Sequence, residues 1–320
     1  MGQPSPAAAE PKDPKELMLA ATRMNNLTAP DMKPWHINAT YQLFDEKGAI
    51  TDEGTFEELW AGPVKFKRTF TGKSFTQTDY GTDKGVLRSG SQDDVSALLL
   101  AIRRELVTPL FSAEVVERET YVSKPIDANG LKLHCLHANL PPDNGTTSCI
   151  EADRPVLRIS AWPGEHLQAL HNQILDYQNH SVAGDLKVIR DGKLVLTAKV
   201  TSIQPLDPLN NADFAPSADA VLLPRRVSIS AGVAVGMLQH KVAPEYPSED
   251  RGQGVQGTVS MQALIATDGR IKELRIISGP SVLLKPALDA VRQWRYRPYL
   301  LNGSPVEVMT TINVVFALGR

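Results

Sequence analysis

No stretch of this sequence approaches the roughly 18–20 consecutive apolar residues that a membrane-spanning helix needs. The N-terminus, Met1-Gly2-Gln3-Pro4-Ser5-Pro6, lacks the basic and apolar parts of a secretory signal. Pro6 also stands where a myristoylation motif needs Ser or Thr. As it stands the chain reads as soluble, although a trimmed start would have erased a signal or anchor. Cysteine is scarce: 2 in 320 residues exclude a disulfide-dense miniprotein and a zinc site of four thiolates. Aromatic residues make up only 6%, while 22 Gly and 23 Pro favour turns and short strands over long helices. Neither sign of charge dominates. The 34 Lys and Arg face 36 Asp and Glu, so nothing directs the whole chain to nucleic acid or an anionic membrane.

Chemical motifs are missing too. G-x-S-x-G, H-E-x-x-H and C-x-x-C do not occur. Gly252-Gln253-Gly254-Val255-Gln256-Gly257 fits G-x-G-x-x-G but leads into a strand, where a dinucleotide site needs it to open a helix. Gly72-Lys73-Ser74 lacks the upstream Gly of a phosphate loop, since that position is Lys67. No cofactor, metal or catalytic residue is expected, and the chain is read as a non-enzyme.

What is present is ordinary globular composition, with 42% hydrophobic and 22% charged residues. The length suggests two domains at roughly 150 residues each. Residues 1–12 are a Pro/Ala-rich tail. Asp13 as N-cap, Pro14 and Glu16 then start a helix over 14–27, carrying Leu17, Ala20, Ala21, Met24 and Leu27 at helical spacing. Period two follows in Trp35, Ile37, Ala39, Tyr41 and Leu43, with a turn at Asp45–Gly48 and a return over Thr55–Trp60. Further alternation runs through Val64, Phe66 and Phe70 and over Ser74–Tyr80. After Asp93-Asp94 a second helix bears Val95, Leu98, Leu99, Ile102 and Leu106, with Arg103, Arg104 and Glu105 on its other face. Strands are expected at 114–122, 131–138, 148–160 and 171–182, and a hairpin at 186–200 about Asp191-Gly192. Residues 13–204 are thus expected to form one unit, an antiparallel curved sheet with helices on one face.

Pro205, Pro208, Pro216 and Pro224 mark 205–236 as a linker. The unit beyond it, 237–320, carries 10 Lys and Arg against 7 Asp and Glu, whereas the remainder carries 24 against 29. Its pattern is strand 255–267, a turn at Asp268-Gly269, strand 271–278, a helix from Pro286, a turn at Asn302-Gly303, and alternation from Val306 to Leu318. The whole chain is therefore of α+β class, with a small β-β-α-β unit at its C-terminus.

That unit resembles the C-terminal domain of the TonB family of energy transducers. The matching pieces are Pro244, Tyr246-Pro247, Gly257-Thr258-Val259, Asp268-Gly269-Arg270-Ile271, Ser278-Gly279, the Ala287–Pro298 run with Trp294 and Tyr296, and Asn302-Gly303 with Pro305-Val306. The resemblance implies a periplasmic domain that recognises an outer-membrane TonB-dependent transporter, or another peptide partner, by pairing a peptide strand with its sheet edge. The residues this singles out are Tyr246 and Pro247 at the start and Val306, Val308, Thr310, Ile312 and Val314 on the last strand; the alternation equally fits a strand that only builds the sheet. Energy transducers of this kind carry a membrane helix and a long Pro-rich spacer, and here a folded unit stands in their place.

The N-terminal order of elements, with Trp35–Leu43, Gly54–Trp60 and the 186–200 hairpin, looks like the half-barrel of periplasmic lipoprotein carriers. That likeness implies a concave face able to hold lipid or a lipoprotein segment, lined by Leu43, Phe66, Phe70, Leu98 and Ile102; these residues fit a filled core equally. Cys135 and Cys149 flank a turn-rich loop that would bring them together. In an oxidising periplasm they would form a disulfide worth roughly 3 kcal/mol. The rival is a metal site of His134, Cys135, His137 and Cys149, but on a strand His134 points away from Cys135 and His137. The expected function is periplasmic binding and interaction. The alternative is an enzyme with its cleft in the N-terminal unit.

Overall fold

The computed structural model describes residues 13–138, 146–162, 166–246 and 255–317. The N-terminal part opens with α1 (Pro14–Met24), whose first turn is capped by Asp13 accepting from the Lys15 N–H at 2.7 Å. The helix stops short of Leu27 because Asn25 turns out of it. The Asn25 side chain donates to the Ala21 carbonyl (2.7 Å) and the Pro155 carbonyl (2.9 Å), and accepts from the Leu157 N–H.

Five strands follow: β1 (Trp35–Phe44), β2 (Ile50–Trp60), β3 (Phe66–Thr71), β4 (Thr76–Thr82) and β5 (Gly85–Gly90). Helices α2 (Ala97–Val107) and α3 (Ala113–Arg118) then carry the chain to the far edge. It returns through β6 (Tyr121–Ala128), β7 (Leu131–Ala138), β8 (Thr147–Glu151), β9 (Leu157–Trp162), β10 (Leu167–Tyr177), β11 (His180–Arg190) and β12 (Lys193–Pro205). The last of these closes against β1, so neighbours run β5-β4-β3-β2-β1-β12-β11-β10-β9-β8-β7-β6 in one open, curved antiparallel sheet. Along β1, Trp35, Ile37, Ala39 and Tyr41 are buried, as period two requires when one face is covered. Leu99, Ile102 and Leu106 of α2 join the same cluster, so α2 covers that face.

Three expected strands differ. Residues 113–118 are helical because Val116, fully buried, packs with Leu17, Met18 and Ala21 of α1. The stretch 148–160 is two strands, broken by a turn that includes Asp153 and Pro155. The stretch 171–182 is a hairpin whose turn residues Gln178 (φ 50°) and Asn179 (φ 64°) both adopt positive φ. Asp191 (φ 50°) and Gly192 (φ 78°) form the expected turn between β11 and β12.

Cys135 and Cys149 face each other across β7 and β8 and are joined by a disulfide. Most of the loop between them, 139–145, lies outside the described residues. Its closure spans a sequence separation of 14. Replacing both cysteines by Ala is expected to lower stability by about 3 kcal/mol, read as a shift in denaturant midpoint. An unchanged midpoint would mean that the β7–β8 pairing alone closes the loop.

The segment 205–236 is not a free linker. It supplies β13 (Val221–Leu222), which pairs with β5, then β14 (Arg226–Ser228), which joins the C-terminal sheet, then α4 (Ala231–Met237). The signal overlooked is Arg226-Val227-Ser228-Ile229, a short period-two run whose Val227 and Ile229 pack on the C-terminal core.

The C-terminal part contains β15 (Leu238–His240), β16 (Gly257–Ile265), β17 (Ile271–Ser278), α5 (Ser281–Val291), β18 (Arg295–Tyr296), β19 (Tyr299–Leu301) and β20 (Ser304–Phe316). The sheet runs β14-β20-β16-β17, with β19 also on β20. Helix α5 starts before Pro286 because Leu283 is fully buried against the sheet. Pro286 removes only the bond to the Val282 carbonyl, within the second turn. The turn at Asp268-Gly269 needs glycine: at φ +83° an added Cβ would lie 1.8 Å from the Tyr296 carbonyl oxygen.

Candidate functional site

Along β20, antiparallel pairing with β16 runs unbroken from Val308 opposite Ile265 to Phe316 opposite Gly257. On the other side, the Glu307 N–H donates to the Arg225 carbonyl (2.8 Å) and the Ile229 N–H donates to the Met309 carbonyl (3.0 Å). Odd-numbered residues of β20 therefore turn their backbone groups away from β16. Beyond Met309 the same parity aims the N–H and C=O of Thr311, Asn313 and Val315 outward. Among the described residues no backbone group pairs with them.

This parity sorts the residues singled out from sequence. Val306, Val308, Thr310, Ile312 and Val314 are all buried, and Val308, Ile312 and Val314 pack in one cluster with Leu283, Ala287 and Val291 of α5. Their alternation marks the core side of the strand. Val306 is also paired to Tyr299 of β19, and Val308 lies level with Val227 of β14. Tyr246 stacks edge-on against Phe316 and donates from its hydroxyl to the Val255 carbonyl. Pro247 lies outside the described residues. The residues sequence reasoning missed are Thr311, Asn313 and Val315, because the apolar pattern draws attention to the opposite phase; Val315 is 69% exposed.

Beside this edge lies a charge cluster joining the two sheets. Arg226 of β14 donates from Nε to Glu307 Oε2 (2.6 Å) and from Nη2 to Asp94 Oδ2 (2.9 Å). Lys272 of β17 reaches the same two carboxylates, Glu307 at 2.9 Å and Asp94 at 3.2 Å. Arg88 of β5 holds Asp94 at 2.7 Å and forks onto Asp79 at 2.7 and 3.0 Å. Burial opposes ionisation of Asp94, yet Arg88, Arg226 and Lys272 outweigh it and hold its carboxyl below the usual range. Burial and the adjacent Asp94 push Glu273 up. A groove of about 390 Å³ opens here, walled by Phe66, Arg88, Leu100, Leu223, Arg225 and Glu273 among others.

Because the folded value for Asp94 lies below its ordinary value near 3.9, its contribution is present above about pH 4 and is lost as pH falls through the folded value. The acid limb of unfolding is therefore expected to be shallower in Asp94→Asn than in the native chain. Identical acid limbs would remove Asp94 from the joint's energetics.

In the N-terminal part, Phe70 of β3 and Ile102 of α2 are buried within one hydrophobic cluster, and Leu43, Phe66 and Leu98 pack against it. Phe66 also walls the groove at the joint. Two acids sit in the same interior. Glu58, fully buried, is held by Arg68 (3.3 Å) and Arg103 (2.9 Å). Glu105, expected on the outer face of α2, is 1% exposed instead. It takes the Ser160 hydroxyl (2.7 Å), the Trp162 indole N–H (3.2 Å) and the Arg104 guanidinium (2.8 Å), and lies 3.2 Å from His171 Nε2. Burial raises its pKa, but the bonds from His171 and Ser160 and the Arg104 charge bring it below the ordinary value. Serine, histidine and acid are all present, but Ser160 and His171 both bond to the carboxylate. Among the described residues no imidazole bonds the Ser160 hydroxyl, so these three groups lack the serine-to-histidine contact of a nucleophilic triad.

Residues 242–318 match the family model for the Gram-negative bacterial TonB protein C-terminal domain. The C-terminal unit is thus of TonB C-terminal type. The TonB protein of Vibrio cholerae serotype O1 is 34% identical over 84 residues, which make up 26% of this chain and 34% of that protein. The chain therefore spans about a third of the length of that relative. A DUF1329 family protein from Desulfovibrio piger aligns with 65% of this chain and 99% of its own at 12% identity and a TM-score of 0.44. A putative outer membrane lipoprotein-sorting protein domain from Vibrio parahaemolyticus aligns with 62% of this chain and 97% of its own at 11% identity and a TM-score of 0.41. Among the described residues no helix is long and apolar enough to cross a membrane.

Proposed function

We propose that this is a periplasmic binding and interaction protein without a catalytic step. Its C-terminal unit takes up an extended segment of an outer-membrane TonB-dependent transporter, or of another protein partner, by strand addition. The observation that carries this reading is the outward row of backbone groups at Thr311, Asn313 and Val315, in a domain of TonB C-terminal type. Main-chain bonds of that kind give affinity to an extended peptide of varied sequence. The Cys135–Cys149 bond supports an oxidising compartment. The domain organisation proposed is 13–204 for the first unit and 237–320 for the second, with 205–236 joining them.

The N-terminal sheet serves either to hold a lipid or lipoprotein segment or as a scaffold. Native mass spectrometry of gently purified protein separates these roles: a copurifying lipid supports the carrier role, and its reproducible absence leaves the scaffold. Partner recognition is tested by titrating labelled synthetic peptides that copy the periplasmic N-terminal segments of outer-membrane transporters. Saturable binding to the full chain is expected. Its absence with every peptide would overturn the reading.

A further inference from the structure

The outer edge of β20 is not empty along its whole length. Three residues of β14 lie parallel to it, Arg226 opposite Glu307, Val227 opposite Val308 and Ser228 opposite Met309. Bonds at both ends, Glu307 N–H to the Arg225 carbonyl and Ile229 N–H to the Met309 carbonyl, fix the register. Side chains reinforce it: Val227 and Ile229 pack on the C-terminal core, and Arg226 pairs with Glu307, itself 3% exposed. The occupied stretch and the open stretch are one continuous edge, with no change of parity between Met309 and Thr311. Four residues upstream, the same strap is fastened to the other sheet. Val221 and Leu222 pair with Arg88 and Leu87 of β5, and the Leu223 N–H donates to the Val86 carbonyl. Arg226 also reaches Asp94, just beyond β5, so its one guanidinium ties together the strap, β20 and the N-terminal part.

We propose that β14 is a resident occupant of the partner-strand site: an internal competitor that a partner strand displaces to gain the full edge, freeing the joint between the two sheets. This rests on the reading of β20 as a partner edge. Parallel strand pairing over only three residues is a small contact, to which the flanking residues add two ladder bonds and the packing of Ile229. An occupant of this kind lowers the apparent affinity of a partner by the fraction of time the edge is closed. Unfastening it therefore strengthens partner binding, whereas removing a merely structural strand weakens it.

Two variants open the strap without touching β20. Ile229→Pro deletes the N–H that donates to Met309. Arg226→Ala removes both ion pairs and leaves the apolar contacts. A labelled synthetic peptide copying residues 223–231 is the probe. A strap closed about nine-tenths of the time at an effective concentration near 1 mM requires a dissociation constant in trans of about 0.1 mM or below. The Ile229→Pro chain is expected to bind the probe at that level, and the native chain about tenfold more weakly. Equal affinity for both chains, or no binding to Ile229→Pro at about 1 mM probe, overturns the inference. Transporter-derived peptides form the second arm, and both variants are expected to bind them about tenfold more tightly than the native chain. If those peptides bind all forms equally, the partner reading stands and the strap inference falls. If the probe discriminates and no transporter peptide binds any form, strap occupancy is upheld and the partner reading falls. Circular dichroism and melting verify folding. If Ile229→Pro does not fold, Arg226→Ala carries the same comparisons.

Discussion

Glu105→Ala is expected to lower the unfolding free energy by about 3–5 kcal/mol, the cost of breaking a buried, fully bonded ion cluster from one side. The carboxylate is the shared acceptor for Ser160, Trp162 and Arg104 and lies against His171, and its own side chain is 0% exposed. Alanine leaves those groups without their acceptor and opens a void beside α2. Glu105→Gln separates these effects, because it keeps the volume while one oxygen becomes a donor facing donors. Its loss is expected to be smaller, and its acid limb shallower. The folded value for Glu105 is lowered, so its stabilisation is present above the ordinary carboxylate range and lost as pH falls through the folded value. Denaturant midpoints across pH measure both. A loss below about 1 kcal/mol in Glu105→Ala would mean that the cluster contributes no more than an exposed pair.

Thr311→Pro is expected to abolish partner-peptide capture while the C-terminal domain stays folded. Proline is tolerated at a strand edge when its missing N–H faces away from the ladder, and Thr311 is such a position. Val308→Pro and Ile312→Pro are the contrasting cases. Their N–H groups face β16, so proline there breaks the β16–β20 ladder and is expected to unfold the domain. Loss of binding in those two variants therefore says nothing about the edge. Binding and melting are read together. Capture that survives in a folded Thr311→Pro chain would place the partner elsewhere.

The elements legible in the sequence were those whose punctuation was local. Asp13-Pro14 opened α1, Asp191-Gly192 turned β11 into β12, and the apolar phases of β1 and α2 pointed to one covered face. The Gln178-Asn179 turn escaped because neither residue advertises positive φ as glycine does. Helix α3 escaped because Val115 and Val116 read as strand, and only burial of Val116 under α1 decides otherwise. The buried Glu58 and Glu105 did leave a trace. Glu58 stands in phase with Phe56 and Trp60, and Glu105 falls three residues after Ile102, both in apolar positions. Placing Glu105 on the outer face of α2 was the error. The outer edge of β20 was legible as a strand but not as a side. Which backbone groups of β20 point outward depends on its pairing with β16 and β14, contacts of long sequence separation that no local pattern encodes.

The most direct test of the partner-strand account is residue-resolved amide exchange in the C-terminal domain of the intact chain, with and without a bound transporter-derived peptide. Strand addition predicts slowed exchange at Thr311, Asn313 and Val315, with Thr310, Ile312 and Val314, already bonded to β16, little changed. Binding that leaves those three outward amides exchanging as fast as before would contradict the account.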